Sequence, residues 1–345
     1  MRTDDFDYEL PTGLIAQAPA EPRDSCRLLT VERTNCMLSD RVFRELPKLL
    51  NPGDLLVVNE TRVLPARLRG VKADTGGAVE VLLLRERYEG TWECLVKPGR
   101  RVRAGSKLLF GDGLLTGLVV AEDRETGGRV VQFTAHGPES VIAAIHSLGE
   151  MPLPPYITRE IDDPEQYQTV FGVEERSAAA PTAGLHFTEE LLARVADAGV
   201  GLARVELDVG LDTFRPVAED DPLDHVIHTE RFRVPPSASD AVNETHERGG
   251  RVIAVGTTTV RALESATDER SRLVIPTEGD TDLFILPGFR FLTVDAMITN
   301  FHVPRSTLLM LVSAFASRDL VMRAYAHAIA ERYRLLSFGD ALFIS

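Results

Sequence analysis

Cysteine is scarce in this chain: three in 345 residues, Cys26, Cys36 and Cys94, far apart and odd in number. That argues against a disulfide framework or a cysteine-based zinc site and makes a reducing cytoplasm the expected compartment. No apolar run is long enough to span a membrane. The opening MRTDDFDYELP is acidic and lacks the apolar core of a signal peptide. No stretch reads G-x-G-x-x-G or G-x-x-x-x-G-K-[ST], so dinucleotide and nucleoside-triphosphate binding are not indicated. An overall excess of base is also missing. With 38 Lys and Arg against 52 Asp and Glu, the net charge is −14, so a nucleic-acid partner requires a local basic patch. There is no internal repeat and no low-complexity tract. What remains, at 44% hydrophobic residues, is a soluble globular protein of about two domains.

A local patch is present. Thr61 to Phe110 holds eleven basic residues, among them Arg62, Arg67, Lys97, Arg100, Arg101 and Arg103, against five acids. The segment therefore carries +6 and the rest of the chain −20. Such charges suit a solvated sheet face or a surface that meets a polyanion, and the asymmetry favours the second. The same region is a series of short strand-like runs: 78–84, 91–96, 107–110, 114–121 and 129–134. Gly-rich turns separate them, including Thr126-Gly127-Gly128. Closely spaced strands with glycine turns and no helix predict a small antiparallel β-barrel, inserted at residues 62–150.

The flanks, 1–61 and 151–345, read as one discontinuous α/β domain. Leu38 to Leu50 fits a helix capped by Ser39 or Asp40, and Leu55 to Val58 a buried strand. After the Pro-rich return GEMPLPPYI (149–157), helices alternate with strands. Helices are expected at 189–198, about 238–248, 307–316 and 319–332. Strands are expected at 201–209, 251–255, 284–286, 291–298 and 341–344. This alternation predicts a largely parallel sheet with helices on both faces.

Candidate chemistry sits at strand-to-helix corners, where open α/β sheets hold ligands. AAAPTAGLHFT (178–188) delivers Thr182 and His186 to a helix capped by Thr188. Gly256-Thr257-Thr258-Thr259 follows a buried strand and opens a helix, whose first N–H groups suit carboxylate, phosphate or ribose oxygens. Arg261 and Glu264 on that helix also fit a plain surface pair. Asn300-Phe301-His302 ends a strand before Ser306 caps another helix. Glu206 and Asp208 lie two apart on a strand, roughly 7 Å, with Asp212 close behind. Exposure to water explains them most cheaply, and no tight ligand spacing supports a metal.

Taken together, NETRVLPARL, LVKPGRRVRAG, GEMPLPPYI, AAAPTAGLHFT, VGTTTVRALE, ITNFHVPRSTLLMLVSAF and YRLLSFGDALFI resemble the S-adenosylmethionine:tRNA ribosyltransferase-isomerase family of queuosine biosynthesis, end to end. The resemblance implies an α/β domain with an inserted barrel. It implies transfer and isomerisation of the ribosyl unit of S-adenosylmethionine onto 7-aminomethyl-7-deazaguanine at the tRNA wobble position. The products are epoxyqueuosine-tRNA, adenine and methionine, and no metal is required. It further implies His186 or His302 as acid/base. Thr182, Thr257, Thr258, Thr259, Arg261, Asn300 and Asp340 hold or orient the co-substrate, and Arg62, Arg67, Lys97, Arg100 and Arg101 contact tRNA. A cytoplasmic monomer is expected.

One segment departs from that pattern. Where the family usually reads TLHVGxGTF, this chain has ELDVGLDTF, with Glu206, Asp208 and Asp212 replacing Thr, His and Gly. Either Asp208 takes over from the usual His, or the chain is a paralogue with another nucleoside or RNA as substrate. A tRNA-binding protein without catalysis is a further alternative.

Overall fold

The computed structural model describes residues 1–122, 127–210 and 216–345, which leaves Asp212 and Thr126 outside the described residues. The chain divides into two compact units. One comprises Met1–Thr61, Pro154–Glu174 and Ala180–Ser345, the other Arg62–Leu153 and Glu175–Ala179.

The first unit is built on a nine-stranded sheet. Its order is Thr277–Thr281, Glu230–Val234, Gly201–Leu207, Leu55–Asn59, Val252–Val255, Ala296–Asn300, Ala341–Ile344, Arg27–Glu32, Met37–Val42. The four strands from Gly201–Leu207 to Ala296–Asn300 run parallel, as do Ala341–Ile344 and Arg27–Glu32, whereas both edges are antiparallel. The sheet is thus mixed, with a parallel centre. Every residue of Leu55–Asn59 and Val252–Val255 is buried, as expected of central strands covered on both faces. Leu56, Val58, Ile253, Val255, Ala296, Ile298 and Phe343 point to one face. There they meet Phe43, Leu46, Phe187, and Leu191 and Val195 of the helix Glu189–Asp197 in a single cluster. Val57, Ala254, Met297 and Leu342 alternate to the other face and are equally buried.

The helix ends follow the expected chemistry. Thr188 caps Glu189–Asp197 by accepting from Leu191 N–H at 3.1 Å, and Gly199 leaves it at φ +77°. Ser306 caps Thr307–Ala316 through Leu309 N–H. Three expectations need correction. Leu38–Leu50 is not a helix: Met37–Val42 is an edge strand paired with Arg27–Glu32, and Phe43–Lys48 is a short 3-10 turn. Pro47 inside that turn cannot supply an α-helical N–H. Phe284–Leu286 is not a strand, whereas the polar Thr277–Thr281 is. The strand expected at 291–298 is confined to Ala296–Asn300.

In the second unit Arg67–Lys72, Ala78–Tyr88, Thr91–Lys97, Arg129–Ala135, Leu115–Glu122 and Lys107–Phe110 pair in that order. Lys107–Phe110 then pairs back onto Arg67–Lys72, which closes an antiparallel six-stranded barrel. Closure needs Gly70: a Cβ there would lie 2.3 Å from the carbonyl oxygen of Leu109. The unit also carries a helix, Val141–Leu148, capped by Ser140, contrary to the helix-free reading.

Candidate active site

The parallel strands Val252–Val255 and Ala296–Asn300 end side by side, and a cavity opens at their carboxyl ends. After Val255 the backbone turns at Gly256, with φ +92° and ψ 151°, a region open essentially to glycine. A Cβ there would approach Thr258 Oγ1 to 3.4 Å. Gly256 has no side chain, so none caps the helix Thr257–Ser265, and its first N–H groups lack a capping oxygen. Thr257 and Thr258 line the cavity. Thr258 Oγ1 is buried without a hydrogen-bond partner among the described residues, which marks a place for a ligand's polar atom. Thr259 instead turns its hydroxyl back to Val255 O at 2.8 Å and does not line the cavity.

Asn300 is the hub of the opposite wall. Its Oδ1 accepts from Thr182 Oγ1 at 2.9 Å, and its Nδ2 donates to His186 Nε2 at 3.1 Å and to Leu336 O at 3.4 Å. Leu336 lines the cavity with φ +68°, costly for a non-glycine residue and found where the surroundings force it. Tyr156 and Ser337 join the wall, with their hydroxyls 2.7 Å apart. These three were not singled out in the sequence, although they lie in the motifs GEMPLPPYI and YRLLSFGDALFI.

The two histidines differ in place. His302 lines the cavity, with Nε2 2.8 Å from Thr299 Oγ1. Its backbone is clamped by Tyr325 OH accepting from its N–H and Tyr8 OH donating to its carbonyl. His186 stands one layer behind, with Nδ1 3.3 Å from Cys26 Sγ and Nε2 on Asn300. Burial pulls both imidazoles down to about 3, aided at His186 by Arg334 and Arg23, so both are neutral at pH 7.

The remaining sequence candidates lie elsewhere. Asp340 is buried but does not line the cavity. It accepts from the backbone N–H of Arg27 at 2.8 Å and of Arg334 at 2.7 Å, and burial raises its pKa. Arg261 and Glu264 are not a surface pair. Arg261 forms a buried ion pair with Glu230, while Glu264 accepts from the N–H groups of Leu292, Thr293 and Val294. Arg261 and Glu230 line a second cavity together with Gly210, His225, Phe284 and Leu308. Glu206 does not face water: it is 6% exposed and paired with Arg233. Asp208 is half-buried and donates its own N–H to Arg231 O at 2.9 Å. Among the described residues no group of three or more His, Cys, Asp or Glu is placed to hold a metal ion.

On the barrel, the basic residues divide by partner. Arg62 pairs with Glu175 at 3.5 Å, Arg67 donates to Leu153 O at 3.3 Å, and Lys97, 83% exposed, stands 3.8 Å from Glu80. Arg100, Arg101 and Arg103 are exposed and line one groove with Lys72, and no carboxylate pairs with these three among the described residues. No helix of the described residues is long and apolar enough to cross a membrane.

The chain is similar to known proteins over its whole length. A family model described as "Queuosine biosynthesis protein" matches residues 3–344. The S-adenosylmethionine:tRNA ribosyltransferase-isomerases of Symbiobacterium thermophilum and Halothermothrix orenii are 55% and 51% identical, each over 100% of both chains. The crystal structure of S-adenosylmethionine tRNA ribosyltransferase from Thermotoga maritima is 40% identical, covers 99% of this chain and 100% of its own, and superposes with a TM-score of 0.54. The chain belongs to the queuosine biosynthesis protein family.

Proposed function

We propose that this protein transfers and isomerises the ribosyl unit of S-adenosylmethionine onto 7-aminomethyl-7-deazaguanine at the tRNA wobble position. Epoxyqueuosine-tRNA, adenine and methionine are the products. Full-length identity above 50% to relatives named for this reaction supports it. The structural observation that carries it is the hydroxyl- and amide-rich cavity at the strand ends, with Thr258 Oγ1 buried and without a partner among the described residues.

Bound S-adenosylmethionine supplies the ribosyl group and a sulfonium that acidifies the adjacent ribose carbon. The chain's residues bind, orient and move protons. Thr257 and Thr258 offer hydroxyls and uncapped helix N–H groups to ligand oxygens. Asn300 and Thr182 hold a fixed pattern of donor and acceptor at the wall. His302, neutral and on the wall, is the acid/base group; a proton taken there is favoured once a bound negative charge offsets the cost of its burial. His186 acts through Asn300 as a positioning residue, and Asp340 pins the backbone around Arg334. Asp208 stands where the family usually carries His. On the barrel, Arg62, Arg67, Lys97, Arg100 and Arg101 face the tRNA, with Arg100 and Arg101, which pair with no carboxylate among the described residues, the stronger phosphate contacts. Residues 62–150 act as the inserted tRNA-facing domain of a cytoplasmic monomer.

The test is incubation with S-adenosylmethionine and tRNA bearing the aminomethyl-deazaguanine, followed by analysis of the small products. Adenine and methionine in equal amounts are expected. S-adenosylhomocysteine would mean methyl transfer, and no turnover with salt-sensitive tRNA binding would mean a binding protein.

A further inference from the structure

The two cavities of the α/β unit share a wall. Leu308 lines both, and the chain neighbours Val209 and Gly210, like Ser306 and Thr307, line one each. Their chemistry differs. The first cavity has hydroxyls, the Asn300 amide and neutral His302, and among the described residues no Lys, Arg, Asp or Glu lines it. The second holds the Arg261–Glu230 ion pair, 6% and 7% exposed, among Ile227, Leu283, Ile285 and Leu311.

A buried ion pair is a weak source of stability, because desolvating both charges offsets most of their attraction. One placed on a cavity wall calls for another role. Arg261 uses Nε on Leu283 O at 3.0 Å, one terminal nitrogen on Glu230 and the other on Thr281 O at 3.4 Å. That engages three of a guanidinium's five N–H groups. Glu230 accepts from Gly210 N–H at 3.0 Å through the oxygen that does not face Arg261. A cation and an anion side by side on a cavity wall match a zwitterion, carboxylate toward Arg261 and ammonium toward Glu230. A neutral base or a phosphate would leave one of the two charges unmatched.

We infer that S-adenosylmethionine spans both cavities: its adenosine lies against Thr257, Thr258 and Asn300, and its amino-acid end against Arg261 and Glu230. This rests on the functional reading above. The residue pair splits a cluster that is contiguous in sequence, since Thr258 and Arg261 belong to one helix but line different cavities. The dividing wall at Leu308 and Val209-Gly210 then lies beside the sulfonium.

Titration calorimetry on the full-length protein tests the placement with S-adenosylhomocysteine and 5′-methylthioadenosine, thioethers that differ in the amino-acid end. The wild-type protein should bind the first more tightly. Glu230→Gln, which keeps shape and hydrogen bonding, should weaken it on the order of 10- to 100-fold and leave the second within about twofold. Arg261→Lys gives the same comparison should Glu230→Gln fail to fold. Thr258→Val should weaken both ligands alike. Equal affinity of the two ligands for the wild type, or equal losses in the variants, overturns the placement and leaves the functional reading standing. Failure of the wild type to bind S-adenosylmethionine at all overturns both.

Discussion

Asn300 donates its side-chain amide to His186 Nε2 across 3.1 Å, and that bond, with the amide's other partners, sets the tautomer of the histidine and the orientation of the amide. An accepting Nε2 leaves the proton of the neutral ring on Nδ1, aimed at Cys26 Sγ 3.3 Å away. The same amide nitrogen faces Leu336 O, while the amide oxygen receives the Thr182 hydroxyl. A flipped amide would oppose oxygen to oxygen at Leu336, so the network admits one orientation.

Asn300→Asp should break this arrangement, because a carboxylate cannot donate to His186 or Leu336. We expect a loss of about 1–3 kcal/mol in urea unfolding and a fall in adenine release of at least tenfold. Unchanged turnover would show that the amide orients nothing used in the reaction.

Thr258→Val is the complementary change. It removes a hydroxyl that has no partner among the described residues, so the ligand-free protein should keep or slightly gain stability. S-adenosylmethionine affinity should drop by roughly 5- to 10-fold, measured by calorimetry. A loss of stability with affinity intact would make the hydroxyl structural.

Acid should destabilise the protein through its two buried histidines. Their folded pKa of about 3 lies below the unfolded value of about 6.5. Their stabilising contribution is therefore complete above about pH 6.5 and lost as pH falls toward 3, because only the unfolded chain takes up the protons there. His302→Gln should flatten the dependence of unfolding free energy on pH between 6 and 4 by about 1.4 kcal/mol per pH unit. Parallel wild-type and variant curves from denaturation at pH 6, 5 and 4 would refute this.

Replacing Arg100, Arg101 and Arg103 together by Ala should weaken tRNA binding and reduce the slope of log K against log salt by about 2–3. S-adenosylmethionine affinity should be unchanged. Arg87→Ala serves as the control, since its guanidinium is already held by Glu93 at 2.7 Å; a triple variant no weaker than this control would remove the groove from the tRNA interface.

Some elements were legible because local signals agreed. Ser306 before a largely apolar run predicts the helix Thr307–Ala316 to the residue, and Ala341–Ile344 reads as the buried strand it is. Others misled. Leu38, Val42, Leu46 and Leu49 recur at helical spacing, yet pairing with Arg27–Glu32 holds the first part as a strand and Pro47 confines the second to a 3-10 turn. Thr277–Thr281 carries no apolar residue; it is a strand because Glu230–Val234 offers it an edge. The site was legible as corners but not as walls. Thr258 and Arg261 look like one group in sequence, and only the helix turn between them assigns them to separate cavities. Glu206 looks like a solvated carboxylate until Arg233 on the neighbouring strand is seen to cover it.

The sequence by itself determined the family, the α/β and inserted-barrel architecture, and the strand-to-helix corners that are the candidate site, because motifs, caps and glycine turns act over a few residues. Only the tertiary structure decided which histidine reaches the cavity, that Arg261 answers to Glu230, and which barrel arginines have no carboxylate partner among the described residues. Those outcomes depend on burial and on partners tens to hundreds of residues away. No local pattern encodes them.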